Sequence, residues 1–361
     1  MVNWGRSLWI NRELRCFVHN LSTENVVAST AKQSIFEVFA GEVSIFGPMY
    51  LRNFLIISVV FVAACLAGEP LSLSLSKEQA ELWSKATSAT MALRYGDAFE
   101  ISKQLRSQNE EAGCVLENVV RISVYDDKGD TASLVKAGTL LESCKTDGLW
   151  DALRRFEIGY VQGETGHSVK GAMTTRSAAK AFEESKELEA RAFFAIYAYY
   201  IDKSFSWVPF KSDNRELYLA TLDSASQKSE RFWPLFLTPL IWMHYDKEDF
   251  ATGLKLAERG LKRAPNHPVM LQIKADMLYR LKRYGEAADI YEKSAADYLK
   301  RTGKSIRYWC SVLNLIRIYN DKGDKEKAEA WRKKLDDPKY NELKSWMPGS
   351  LMDDLKKRKL I

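Results

Sequence analysis

An internal repeat constrains the fold of this chain more than any other feature of its sequence. Within residues 235–296, a run of helical period, a short polar break and a second run opened by an aromatic residue recur after 34 residues. Such a unit predicts a helix hairpin, and a period of this length is typical of one class of helical solenoid. The matched positions, which mostly keep their size, are Leu237 with Leu271, Leu240 with Lys274, Ile241 with Ala275, Phe250 with Tyr284, Gly253 with Ala287, Ala257 with Tyr291, and Gly260 with Ser294.

The repeat resembles that of the tetratricopeptide repeat (TPR) family, whose signature places an alanine, an aromatic residue and a small residue after the turn and a proline at the end. Ala287, Tyr291 and Ser294 match this signature, and Pro265 closes the preceding copy. The chain departs from the signature at Lys274, where the family has an apolar residue. The first copy also has a glycine in place of the alanine, and the second copy lacks the closing proline. The resemblance implies an all-α protein, a right-handed superhelical solenoid of stacked hairpins.

Helical periodicity runs through the rest of the chain from residue 77. We therefore expect about seven hairpins in a repeat domain over residues 77–338, and a C-terminal cap with a final helix over residues 339–361. One hexapeptide supports this division, because Tyr125–Asp130 returns almost unchanged as Tyr319–Asp324. Its glycine can take the left-handed conformation that ends a helix, and the aspartate after it can cap the next helix.

The first 76 residues do not share this pattern. Residues 1–48 show no repeat and no sustained period, and we interpret them as unstructured or as a mis-assigned start. Met49, Arg52 and the apolar run 54–67 follow. A helix of that length spans about 21 Å, which is short of the roughly 30 Å hydrocarbon core of a bilayer. A charged start, a short apolar centre and small residues at the exit predict a signal peptide over residues 49–68, with a linker at 69–76.

Residues 62–65 of the signal peptide, Val-Ala-Ala-Cys, resemble the bacterial lipobox. The resemblance implies lipidation of Cys65 and an exported lipoprotein of the bacterial cell envelope, anchored to a membrane and facing the periplasm. Cleavage after Ala67 or Gly68 is the first alternative, because it would discard Cys65 and release a soluble protein. An uncleaved anchor is the second.

No pattern in the sequence predicts an enzyme. There is no Gly-rich phosphate loop, no nucleophile elbow and no Cys or His pair at metal-ligand spacing. We therefore predict no catalytic residues, no metal and no cofactor. The net charge of +6 is spread along the chain except at residues 356–359, whereas a nucleic-acid footprint needs a clustered basic face. We accordingly predict no nucleic-acid partner.

The partner we expect is a protein or peptide. In TPR proteins the first helix of each hairpin packs with one stripe and turns the opposite stripe inward, and the resemblance implies that the inward stripe lines a concave binding groove. Aromatic and polar groups there would suit an extended peptide, although a solvated surface could carry the same residues. By spacing, this inner stripe consists of Thr238, Trp242, Tyr245, Gln272, Asp276, Tyr279, Leu313, Arg317 and Asn320.

Two other functions remain open at this point. The chain could be a structural subunit of an envelope assembly, held by its edges and by a cap around Trp346. It could also bind a small ligand in the aromatic region 193–210, although rings there could equally form core.

A disulfide between Cys114 and Cys144 is the last prediction. Gly129 is the centre of a hairpin turn, and the two cysteines lie fifteen residues before and after it. Antiparallel helices joined at that turn would bring them to the same height, and export would place them in an oxidising compartment. Two reduced, buried thiols are the alternative.

Overall fold

The computed structural model of the protein describes residues 72–204, 206 and 212–361. Sixteen α-helices occupy this part of the chain. In chain order they are α1 Lys77–Met91, α2 Tyr95–Gln108, α3 Glu110–Lys128, α4 Thr131–Ser143, α5 Gly148–Glu164, α6 Ser168–Glu183, α7 Leu188–Ser204, α8 Arg215–Lys228, α9 Trp233–Asp246, α10 Phe250–Arg263, α11 Pro268–Arg280, α12 Tyr284–Arg301, α13 Ile306–Asp321, α14 Lys325–Arg332, α15 Pro338–Leu343 and α16 Gly349–Lys357.

The helices from α1 to α14 pack in consecutive pairs, each helix against the next one in the chain. They form seven hairpins, and residues 72–204, 206 and 212–361 contain no strand. This arrangement confirms the predicted all-α, TPR-like fold of stacked helix hairpins.

Helix ends follow the cap signals in the sequence. The side chain of Ser76 accepts a hydrogen bond from the Gln79 amide at 3.2 Å and opens α1 with a capping box. In the two copies of the repeated hexapeptide, Gly129 and Gly323 have φ angles of 67° and 78°, the left-handed conformation expected of a helix end. The aspartates that follow them, Asp130 and Asp324, cap α4 and α14 through backbone amides.

The first helix of each hairpin is the inner one. Nearly all residues of α3 and α13 are buried, whereas α14 has no buried residue and α4 buries one side only. A helix that is apolar around its whole circumference needs neighbours on all sides. The odd-numbered helices from α1 to α13 therefore form the interior, and the even-numbered helices α2 to α14 form the outer layer.

Small residues let these layers approach closely. A Cβ atom on Gly253 of α10 would lie 2.7 Å from the Met277 sulfur of α11, and one on Gly260 would lie 2.9 Å from Leu237 Cδ2. Lys274, which stands where the family has an apolar residue, has its ammonium 3.0 Å from the Glu258 carboxylate on α10. This ion pair connects two neighbouring hairpins.

The last hairpins also pack against the first ones. Leu93, at the end of the first inner helix, shares an apolar cluster with Tyr298 of α12 and Ile306 of α13. The carboxylate of Asp127 on α3 lies 3.9 Å from Arg307 Nε on α13, and both side chains are buried. Inner helices far apart in the chain are therefore in contact, which bears directly on the predicted groove.

Residues 1–71, 205 and 207–211 lie outside the described residues, and with them lie the signal peptide, Cys65 and part of the aromatic region 193–210. No helix in the described part is long and apolar enough to cross a membrane.

Candidate functional site

The inner stripe lies on α9, α11 and α13, and the structure buries most of it. Only its carboxyl-terminal members, Tyr245, Tyr279 and Asn320, are partly exposed. The expectation that the whole stripe stays clear of packing is wrong, because inner helices pack side by side and the last hairpins meet the first. The buried members, with their exposed fractions, are Thr238 (3%), Trp242 (8%), Gln272 (3%), Asp276 (7%), Leu313 (0%) and Arg317 (9%).

Two buried polar members of the stripe connect inner helices to their neighbours. The amide of Gln272 on α11 donates to the Arg307 carbonyl at 3.4 Å and to the Ser311 hydroxyl at 3.3 Å, both on α13. The Tyr291 hydroxyl on α12 donates to the Asp276 carboxylate at 2.6 Å. A neutral buried hydrogen bond, such as those of Gln272, stabilises a fold by about 0.5–1.5 kcal/mol, and one to a carboxylate by about 1.5–3 kcal/mol. Both side chains therefore contribute to the stability of the fold.

We call the accessible end of the stripe the rim, defined as Tyr245, Tyr279, Arg280 and Asn320. The Arg280 guanidinium lies 5.2 Å from the centroid of the Tyr245 ring and 4.7 Å from that of Phe250. Cation–π contacts of this kind hold a guanidinium over ring faces without using its N–H donors. The rim therefore presents ring faces together with a charged, planar hydrogen-bond donor.

Tyr279 is the centre of a polar network on the rim. The Arg317 guanidinium lies 3.9 Å from its ring centroid, and its hydroxyl donates to the Asp321 carboxylate at 2.8 Å. Burial is the main reason that the pKa of Tyr279 is raised to about 12, with Asp321 adding to the effect. The hydroxyl therefore stays protonated and remains a donor at neutral pH.

The C-terminal segment reaches this network. Arg358, just after α16, pairs with Asp321 and has its Nη1 atom 3.5 Å from the Tyr279 hydroxyl. Asp354 of α16 lies 3.7 Å from Arg317 Nη1. Part of the predicted binding surface is thus covered by the protein's own final helix.

A second polar cluster, which the sequence pattern does not predict, joins the ends of α3 and α5. The Tyr125 hydroxyl donates to the Glu164 carboxylate at 2.8 Å, and the Tyr160 hydroxyl donates to Asp126 at 2.9 Å. Burial raises the pKa of Glu164 to about 7, and the nearby Asp126 charge adds to the rise although the Tyr125 bond opposes it. Nothing in the local sequence signals this cluster, because it depends on the contact between two hairpins.

Cys114 of α3 and Cys144, which follows α4, lie opposite each other. Their Cα atoms are 6.3 Å apart and their sulfur atoms are in disulfide contact. This separation lies within the range of natural disulfides. Whether the protein carries the oxidised bond remains a prediction.

The described rings of the region 193–210 pack into the core. Phe193 stacks on Phe182 with centroids 5.4 Å apart and meets Phe236 edge to face at 5.0 Å. Tyr199 and Tyr200 are almost fully buried. These contacts are those of core aromatics, so what is left of the small-ligand alternative concerns residues 205 and 207–210.

Comparisons with known proteins find similarity only among solved structures. No protein-family model matches the chain, and no curated protein matches its sequence. The crystal structure of a Rap protein complexed with competence and sporulation factor is similar with 16% identity and a TM-score of 0.48, over 79% of this chain and 80% of that chain.

Two further solved structures are similar at lower scores. One is a tetratricopeptide repeat protein from Parabacteroides merdae ATCC 43184, with 12% identity and a TM-score of 0.37 over 72% of this chain and 93% of that chain. The other is NprR in complex with its cognate peptide NprX, with 13% identity and a TM-score of 0.39 over 72% and 78%. Similarity at this level does not assign a family, and the fold class depends on the helix pairs themselves.

Proposed function

We propose that this protein is a helical-repeat scaffold that binds a segment of another protein, or a peptide, at the rim of its inner helices. The observation that carries the proposal is the composition of the rim. Tyr245, Tyr279 and Arg280 bring two partly exposed rings and an exposed guanidinium to the ends of adjacent inner helices. Tyrosine and arginine are enriched among the residues that dominate binding energy in protein interfaces.

The rim also suits a polypeptide chemically. A guanidinium held over Tyr245 and Phe250 can donate to a backbone carbonyl or a carboxylate. The tyrosine rings supply apolar contact with little loss of side-chain entropy. The buried members of the stripe, Trp242 and Asp276 among them, would support the rim from below and would not touch the partner.

Site-specific photocrosslinking tests the proposal in the full-length chain. A benzophenone amino acid at Tyr245 should capture a partner, and Arg280→Ala should remove that capture while changing the free energy of unfolding by less than about 1 kcal/mol, because the side chain is exposed. Lys255, which is exposed on the outer helix α10, is the matched control for both changes. The same photoprobe at Lys255 should capture nothing, and Lys255→Ala should leave capture at Tyr245 intact.

Two results would contradict this function. Equal capture from Tyr245 and Lys255 would mean that binding is not localised to the rim. Capture by the same photoprobe at Trp346, whose exposed fraction is 39%, but not at Tyr245 would favour the structural-subunit alternative, in which the cap region is the interface.

The location that we propose is the bacterial cell envelope, with a lipid on Cys65. The support is the charged start, the short apolar run and the lipobox of residues 49–68. Metabolic labelling with a fatty acid should label the wild-type protein and the Cys310→Ala variant, and should fail with Cys65→Ala. Peptides from residues 5–48 in the mature protein, or an unmodified N-terminus at Glu69, would exclude this processing.

A further inference from the structure

The final helix differs from the others in how it packs. The helices from α1 to α14 pair with their chain neighbours, whereas α16 has α13, an inner helix, as its main packing partner. Two 3-10 turns and the six-residue helix α15 connect it to the last hairpin. The connecting segment is anchored by Tyr340 and Leu343 of α15, which are buried in one apolar cluster with residues of α13, and α16 adds contacts of its own.

The apolar face of α16 is that of an amphipathic helix. Leu351 and Leu355, four residues apart and therefore on one face, are 5% and 0% exposed and lie in a cluster with residues of α13. Met352 extends this face, and the residue on the opposite side, Asp353, is exposed. Leucines at this spacing are the anchors with which a helix binds an apolar groove.

Two charges at the end of the chain pair with two opposite charges on α13. Asp354 faces Arg317, and Arg358, one turn further along, faces Asp321 and the Tyr279 hydroxyl. Charge complementarity of this kind defines orientation and selects partners, while the leucines contribute most of the affinity. In chain order, the residues of this final segment that contact the inner helices are therefore Leu351, Asp354, Leu355 and Arg358.

We propose that the inner face of α11 and α13 is a binding site for an amphipathic helix of another protein, and that α16 occupies the site in cis until such a helix displaces it. This inference rests on the proposed function and names the class of partner. The partner helix carries two apolar anchors four residues apart, with an acidic residue just before the second anchor and an arginine three residues after it. A tethered segment has an effective concentration in the millimolar range, so α16 excludes weak competitors and admits tight ones.

A peptide with the sequence of residues 348–361, labelled with fluorescein, tests the inference by fluorescence anisotropy against the full-length chain. Arg358→Glu places a carboxylate beside Asp321 and Asp354 and weakens the hold of α16. The peptide should then bind at least about 10-fold more tightly than it binds the wild type. Adding Asp321→Ala to that variant should reduce binding again by a similar factor, because the peptide's arginine loses its acceptor.

Lys356→Glu is the matched control for the charge change. Lys356 is exposed on the same helix and forms no ion pair among the described residues, so this variant should bind the peptide as weakly as the wild type does. A peptide in which the acidic residue and the arginine are exchanged should bind none of the variants. Equal affinity of the peptide for Arg358→Glu and Lys356→Glu would overturn the inference.

Hydrogen exchange on the wild-type chain decides the matter if Arg358→Glu does not fold. A displaceable α16 should exchange its amides at least 100-fold faster than α13, because it opens without the array. Exchange of α16 at the rate of α13 would make it part of one cooperative unit and overturn the inference. Concentration-dependent dimers that exchange α16 would assign the site to a second copy of this chain and would also overturn it. Loss of peptide binding alone, with crosslinking at Tyr245 intact, would leave the proposed function standing.

Discussion

Removing the cysteine pair with Cys114→Ala and Cys144→Ala is the sharpest test of the geometry between α3 and α4. In oxidised wild-type protein the bond would join residues 30 positions apart, with Cα atoms at 6.3 Å. Both cysteines are buried, with exposed fractions of 0% and 7%, so that neither is a surface thiol open to mixed disulfides. We expect the double variant to be less stable than the oxidised protein and equal to the reduced protein within the cost of two small cavities.

The magnitude follows from loop closure. For a closed loop of this length, the chain-entropy relation predicts that the bond raises the free energy of unfolding by about 3.6 kcal/mol, less any native strain. The entropy of unfolding is about 2.1 cal/mol/K per residue, so a fold of roughly 290 residues shifts its melting temperature by about 1.7 °C per kcal/mol. Reduction of the wild type should therefore lower the melting temperature by about 6 °C.

Thermal melts with and without reductant measure this difference, and reductant should have no effect on the double variant. Cys310→Ala is the matched control: Cys310 is buried on α13 outside the disulfide, and its variant should keep the full response to reductant. Alkylation of both Cys114 and Cys144 in unfolded, unreduced protein isolated from its native cells would refute the bond and, with it, the reasoning from export.

Three further changes have outcomes that the structure predicts. Gly113→Ala should lower the free energy of unfolding by about 3 kcal/mol in urea melts, because its Cβ would lie 2.1 Å from the Arg106 backbone. Gly285→Ala, whose Cβ would have no atom within 4 Å, should raise the free energy of unfolding by about 0.5–1 kcal/mol. Equal effects of the two variants would contradict the packing of α2 on α3. Tyr291→Phe should lower the free energy of unfolding by about 2 kcal/mol, because it removes a 2.6 Å hydrogen bond to the buried Asp276 carboxylate on α11, and a neutral result would show that water replaces the hydroxyl. The folded pKa of Glu164, about 7, is above its usual value, so its contribution to stability is complete below about pH 4.5 and is lost as the pH rises through 7. Between pH 5 and pH 8 the free energy of unfolding of Glu164→Gln should therefore rise relative to that of the wild type, by about 2 kcal/mol after allowance for partial exposure. Parallel pH profiles of the two proteins would contradict the raised pKa.

Local patterns in the sequence determined the fold class of this protein. Helical period, the 34-residue repeat and the capped hexapeptide turns each depend on residues close in the chain, and such residues settle where a helix begins, ends and turns back. The seven hairpins follow from these signals, and so does the equal height of Cys114 and Cys144, which depends only on the position of Gly129 between them.

Tertiary structure alone decided which inner residues remain accessible. From spacing, Trp242, Asp276 and Tyr279 belong to one stripe and look equivalent, yet the first two are buried and the third is partly exposed. The difference arises from contacts between hairpins remote in sequence, such as Asp127 with Arg307, and from the seating of α16 against α13. Those contacts depend on how far each hairpin rotates relative to the last. Rotation accumulates along the array from side-chain sizes in every interface, so no single segment of the sequence encodes it.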